Sequence, residues 1–257
     1  MTVLPHTLER TVTIHAQPET VFKFFTDSER WAKWWGAGST IDARPGGRLF
    51  IRHPGGVESA GEVIEVTPPG RIVFTYGFTS GNPIPEGASR VTITLKPDRA
   101  GTILNLQHAF AEDASAARDE HVQGWRFQLS LFANVVSAEV NADAATTVDS
   151  WFDAWSEPDT SRREEILNRI CATGIRMQDR FSNLEGMDDL KPHLEAAHHF
   201  MPGMRLDRTG EVRHCQGMLL ADWNAHGAGD KPAGSGTNVF VCGPTGLIEK
   251  VTGFWNG

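Results

Sequence analysis

Cysteine is scarce: Cys171, Cys215 and Cys242 are the three in 257 residues, far apart and without a CxxC pair. An odd, dispersed set supports neither a disulfide framework nor a cysteine zinc site. Free thiols suit a reducing compartment, so a cytoplasmic location is expected. Long apolar runs are absent as well, and nothing approaches the ~20 residues of a membrane span. The opening MTVLPHTLERTVTIH carries Pro5, Glu9 and Arg10 where a secretory leader needs an apolar core. Basic runs are missing too. The formal net charge is −8, with most of the acidity after Ala142. That balance argues against nucleic acid or an anionic membrane as partner, since both require concentrated Lys and Arg. Tyrosine occurs once, at Tyr76.

What is present reads as two α+β domains, residues 1–141 and 146–257, each with helices against a bent antiparallel sheet. LERTVTIH places Leu8, Val12 and Ile14 on one strand face. Pro18 suits the first turn of a helix striped by Val21, Phe22 and Phe25, and SERWAKWWG reads as a second helix stopped at Gly36. Strands STIDAR, RLFIRH, SAGEVIEV, RIVFTYGF, SRVTITLKP and GTILNLQHAF follow, separated by Pro and Gly turns. A long helix from about Ala114 to Val140 carries Trp125, Leu129, Phe132 and Val136 at helical spacing. The small, polar stretch Ala138 to Ala145 marks the boundary.

The pattern then restarts with an amphipathic helix bearing Val148, Trp151 or Phe152, and Trp155. Ser161 and Glu164 have capping-box spacing before Ile166, Leu167 and Ile170. A third helix runs from about Asp188 to Phe200. EVRHCQGMLLADW, TNVFVC and LIEKVTGFW read as strands, with a glycine-rich hairpin loop from Gly227 to Gly236. That loop is no phosphate cradle, because no helix follows it and Lys231 is out of Walker spacing.

FKFFTDSERWAKWWG, ARPGGRLFI, EVIEVTPPGRIVFTYGF and HVQGWRFQLSLFANVVSAE together resemble the family of activators of heat-shock-protein ATPase homologues, within the START-like helix-grip (SRPBCC) superfamily. The resemblance covers most of Leu8 to Glu139. It implies a seven-stranded or similar antiparallel sheet gripping the long helix around a cavity. Members of that superfamily bind lipids, steroids and polyketides, and some are aromatases or cyclases. WFDAW, MQDRFSNLEGMDDLKPHL, HCQGMLLADW and GLIEKVTGFW resemble the SnoaL-like polyketide cyclases of the nuclear-transport-factor-2-like superfamily, over roughly Thr147 to Trp255. This second resemblance implies a cone of curved sheet closed by three helices, an apolar pocket, and a homodimer through the second domain.

Asp179 matches the position of the general base in the ketosteroid isomerases of that superfamily. A carboxylate inside an apolar cone is expected to have its pKa raised by desolvation, which suits proton shuttling. The competing reading is that Asp179 only orders the loop to Ser182 and Asn183. The isomerases also need an oxyanion donor, a tyrosine on the first helix and a protonated acid on a late strand. Here those positions read Trp151 and GSGTNVFV, where Asn238 stands in place of an acid. The isomerase constellation is therefore incomplete. His214, Gln216 and Asp222 share one strand face by parity, with Trp223 opposite, so His214 and Asp222 form a candidate acid/base couple. A solvated strand edge is the competing reading.

His193, His198 and His199 lack the spacing of a metal pair and read as surface or capping residues, while His53, His108 and His121 are scattered. Trp34, Trp35, Tyr76, His108 and Trp125 are candidates for lining a cavity of the first domain. Trp151, Trp155, Phe181, Asn238 and Trp255 are those of the second. Gly124 costs ~1 kcal/mol inside a helix, which suggests that a ligand or the sheet approaches there.

Two function classes follow. One is binding of a small apolar polycyclic or polyketide-like compound, with any chemistry being proton transfer at Asp179 that uses neither metal nor organic cofactor. The other is a non-catalytic stress or co-chaperone adaptor with filled interiors, beside which stands a structural dimerisation role for the second domain with any ligand confined to the first.

Overall fold

A computed structural model describes residues 4–111 and 115–256 of the chain. The chain divides into two compact units, Met1–Ser137 and Ala138–Gly257. The division falls within a helix, just before the small polar stretch.

In the first unit, β1 (His6–Ile14) leads to α1 (Pro18–Lys23) and α2 (Ser28–Trp35). Pro18 sits in the first turn of α1, where its missing N–H costs nothing. Asp27 caps α2, its side chain accepting from the Arg30 amide at 2.9 Å. Gly36 ends α2 at φ 135°, and a Cβ there would lie 2.4 Å from the Arg52 carbonyl. The strands β2 (Thr40–Ile41), β3 (Arg48–Arg52), β4 (Glu58–Thr67), β5 (Arg71–Phe78), β6 (Ser89–Asp98) and β7 (Gly101–Phe110) follow. STIDAR thus contributes only a short edge strand. The sheet has seven strands in the order β1-β7-β6-β5-β4-β3-β2, each neighbouring pair antiparallel.

Helix α3 (Ser115–Val140) closes this half; the expected starting residue Ala114 lies outside the described residues. Its stripe Trp125, Leu129, Phe132 and Val136 is buried as the periodicity predicts. Phe132 meets the rings of Phe24, Phe25 and Trp34 at centroid distances of 5.9, 4.9 and 4.7 Å. Each such ring contributes roughly 1.5–3 kcal/mol by leaving water.

The second unit runs α4 (Ala144–Ser156), α5 (Thr160–Ile170), β8 (Cys171–Gln178), β9 (Asn183–Glu185), α6 (Met187–Phe200), β10 (Arg205–Cys215), β11 (Met218–Gly227), β12 (Lys231–Cys242) and β13 (Ile248–Trp255). Its sheet order is β10-β11-β12-β13-β8-β9. All pairs are antiparallel except β13 with β8, which are parallel, so this sheet is mixed rather than purely antiparallel. Register shifts in β10, at Ala225/His226 and at Val241/Cys242 mark bulges, which bend strands. Val148, Trp151 and Phe152 of α4, Leu167 of α5, and Leu190 and Leu194 of α6 are buried against Leu219, Ala221 and Phe240.

Three local expectations change. Asp159, not Ser161, caps α5, accepting from the Arg162 amide at 2.9 Å, while Glu164 binds Lys191 Nζ at 3.1 Å. A carboxylate at the N-cap also meets the positive end of the helix dipole. EVRHCQGMLLADW is not one strand. It turns at Gln216 (φ 47°) and Gly217 (φ 82°), the paired positive φ values of a type I′ hairpin. The glycine-rich segment is mostly strand: β12 begins at Lys231, and Gly234 and Gly236 pair with Ala225 and Trp223.

Candidate functional site

The second unit encloses a cavity of about 400 Å3 between α4, α6 and the concave sheet. Trp151, Trp155, Phe181, Asn238 and Trp255, five of the expected lining residues, all reach it, as does Asp179. Trp223, Met177, Met204 and His193 also line it. Trp223 therefore settles which face of β11 points inward.

Asp179 follows directly on β8 and is half-buried. One carboxylate oxygen accepts from the Phe181 amide at 2.8 Å, and its own amide donates to the Ser182 carbonyl at 2.9 Å. The residue thus does order the loop. Its other oxygen accepts from the Trp255 indole at 3.3 Å, which turns it toward the cavity wall. Asn238 is 7% exposed and its Oδ1 accepts from Trp223 Nε1 at 3.0 Å. That bond fixes the amide so that Nδ2 is the remaining donor. Gly253 lies between the two polar groups: a Cβ there would be 3.1 Å from Asn238 Oδ1 and 3.2 Å from Asp179 Cβ. Gly236 serves the wall in the same way, since a Cβ would fall 2.5 Å from Trp223 Cζ2 and 2.2 Å from the Phe254 carbonyl.

Two expected residues lie elsewhere. His214 accepts from the Gly217 amide at 3.1 Å and so supports the hairpin turn. Asp222 accepts from Thr237 Oγ1 at 2.5 Å and faces Arg213 at 3.4 Å, with half its side chain exposed. Their cross-strand partners are Leu219 and Thr209 respectively. They form no couple, because the parity argument assumed one strand where the chain reverses. His193, read as a surface residue, instead stands at the cavity with Nε2 3.1 Å from Ser182 Oγ. Its position one residue before the buried Leu194 was the available sign.

The first unit holds a cavity of about 450 Å3 lined by Trp35, Tyr76, His53, Phe78, His121 and Trp125 among others. Trp34 and His108, both expected there, are buried and not among its lining residues. Trp34 is core, donating to the Phe24 carbonyl at 3.2 Å. His108 is fully buried in a polar chain: Trp125 Nε1 donates to its Nδ1 at 2.9 Å, its Nε2 lies 2.7 Å from Ser89 Oγ, and Ser89 donates to the Tyr76 carbonyl at 2.7 Å. An indole only donates, so His108 carries its proton on Nε2. Burial holds His108 well below the ordinary imidazole value, with nearby His121 adding to the effect. Burial lowers His121 and His53 as well, and pushes the Tyr76 phenol up to about 12. Gly124 lines this cavity, and nothing lies within 4 Å of where its Cβ would be. The sheet does not approach it; open space does.

Among the described residues no group of three or more His, Cys, Asp or Glu is placed to hold a metal ion, and no helix is long and apolar enough to cross a membrane.

The family described as Activator of Hsp90 ATPase homolog 1-like protein matches residues 15–137. No curated protein matches the chain significantly. A crystal structure of a SnoaL-like family member from Agrobacterium tumefaciens is 26% identical, covering 44% of this chain and 97% of its own, with a TM-score of 0.42. A protein from Chromobacterium violaceum is 28% identical over 50% of this chain and 96% of its own, with a TM-score of 0.40. The Aha1 dimer from Colwellia psychrerythraea is 16% identical over 48% of this chain and 90% of its own, with a TM-score of 0.42. The first unit thus matches the Activator of Hsp90 ATPase homolog 1-like family over residues 15–137.

Proposed function

We propose that the chain binds small apolar, ring-containing compounds of polycyclic or polyketide type, and that the second unit moves a proton on its ligand without a metal or organic cofactor. The observation that carries this reading is a cavity of about 400 Å3, walled by indoles and methionines, with the Asp179 carboxylate at its wall. Indole walls favour flat, apolar guests, because each face supplies dispersion contact and takes the ligand out of water.

Asp179, aimed by the Phe181 amide and the Trp255 indole, accepts the proton from a carbon beside a carbonyl. The carbonyl oxygen then needs donors. Asn238 Nδ2 is one, and Trp155 Nε1, buried in the same wall with no partner among the described residues, is another. One such donor is worth about 3 kcal/mol to the transition state. Three free thiols, Cys171, Cys215 and Cys242, suit a reducing cytoplasm.

Native mass spectrometry of freshly purified protein should reveal a bound apolar compound. Exchange of deuterium from solvent into that compound, followed by NMR, should slow by at least about a hundredfold in Asp179→Asn. Undiminished exchange would remove Asp179 as the base, and protein that never carries a ligand would favour the adaptor reading.

A further inference from the structure

We propose that the cavity of the first unit takes an apolar carboxylic acid, whose acidic proton is held by Nε2 of His121. This rests on the reading above that the chain binds small apolar compounds, and it names the ligand class for this cavity.

The assignment follows from where hydrogens must be. His121 Nδ1 lies 2.6 Å from the Ala117 carbonyl. A carbonyl only accepts, so Nδ1 carries the ring proton and Nε2 a lone pair. That lone pair has no partner among the described residues, and the ring lines the cavity. On the facing sheet, Ser59 Oγ donates to Tyr76 Oη at 3.1 Å and lies 2.9 Å from His53 Nε2. Ser59, Tyr76 and neutral His53 carry three donor protons between them and the two contacts use two, so one donor among the three remains unspent. Trp35 Nε1 is a second buried donor without a partner among the described residues. The cavity therefore offers both a basic lone pair and unspent donors, the Trp35 indole N–H among them.

A hydrocarbon would leave all of these groups unsatisfied, and a ketone would leave the His121 lone pair bare. A carboxyl group serves both, with one oxygen carrying the shared proton and the other accepting. Among the described residues the cavity lining contains neither Lys nor Arg, and it includes Glu120, so a bare carboxylate would find no permanent cation. The imidazole supplies the charge: the carboxyl O–H breaks, the Nε2–H forms, and the resulting pair is neutral overall. The titratable groups around His121 are Tyr76 on β5, His108 on β7, His53 just beyond β3, and Glu120 on its own helix. Since His121 is neutral when the cavity is empty at pH 7 and a free carboxylic acid is ionised, binding must draw a proton from solvent.

Titration calorimetry of the full chain with 1-naphthoic acid, in buffers of different ionisation enthalpy, tests this, with 1-acetonaphthone as the ring-matched ketone. The acid should bind with uptake of about one proton and at least about tenfold more tightly than the ketone. His121→Phe should erase that preference. His121→Gln, which keeps an acceptor but cannot take a proton, should abolish proton uptake. Equal binding of both compounds without proton uptake, or acid binding unchanged in both variants, overturns the acid assignment while the cavity stands as a ligand site. Failure of both compounds to bind overturns the ligand reading of this cavity as well.

Discussion

His108 shows how a single buried residue ties stability to pH. It is fully buried between Trp125 and Ser89, and burial holds it neutral well below the ordinary imidazole value. Below about pH 6.5 the unfolded chain binds a proton there that the folded chain refuses, so stability falls with falling pH by up to about 1.4 kcal/mol per pH unit. Above that pH the residue leaves stability unchanged. His53 and His121 shift in the same direction and steepen the loss. His108→Gln can still accept from Trp125 and donate to Ser89 but does not titrate. Its denaturation free energy between pH 7.5 and 5.5 should decline less steeply than the parent's, and an identical slope would remove His108 as a source.

At the scale of elements, two glycines are expected to respond oppositely to alanine. Gly236 on β12 has the Phe254 carbonyl 2.2 Å from its ideal Cβ, with Trp223 nearly as close. Alanine there must push β13 or the indole aside, at a cost of about 1–3 kcal/mol. Gly124 on α3 has nothing within 4 Å, so alanine should raise helix stability by up to about 1 kcal/mol while its methyl projects into the first cavity. Paired denaturation curves check both signs. If Gly124→Ala left structure and ligand uptake untouched, that glycine would have no role in admitting a ligand.

The same scale shows which signals were readable along the chain. The α3 stripe and the strands β3 to β7 follow from periodicities that each segment carries within itself. The hairpin at Gln216-Gly217 was hidden because the apolar alternation runs on through it, and Gln is an unusual residue at positive φ. Read as one continuous strand, the segment puts His214 and Asp222 on one face, and the reversal undoes that placement.

For the whole molecule, the exposed aromatics of the second unit bear on assembly. Phe181 and Phe200 are 68% and 78% exposed although both line the cavity. An apolar rim of this kind is costly to leave in water and marks a contact surface. The homodimer that the second resemblance implies would cover these two rings. Sedimentation velocity should give a dimer for the parent chain and a monomer for Phe200→Glu; a monomeric parent would exclude this assembly.

Local chemistry was enough to place the helices, most strands and the glycine stop at Gly36, because propensity and periodicity act over a few residues, but not β8, which ends just before Asp179. It could not show that Asp179, Asn238, Gly253 and Trp255 meet, nor that His121 stands over Tyr76 with a bare nitrogen. The first meeting depends on strand register and on the parallel pairing of β13 with β8, the second on α3 packing its His121 against β5, and both join residues far apart in the chain. Depth is the other quantity that periodicity cannot supply. Trp34 and Trp35 are neighbours on one helix, yet one is packed into the core and the other walls a cavity, because what each ring meets is set by the elements packed opposite.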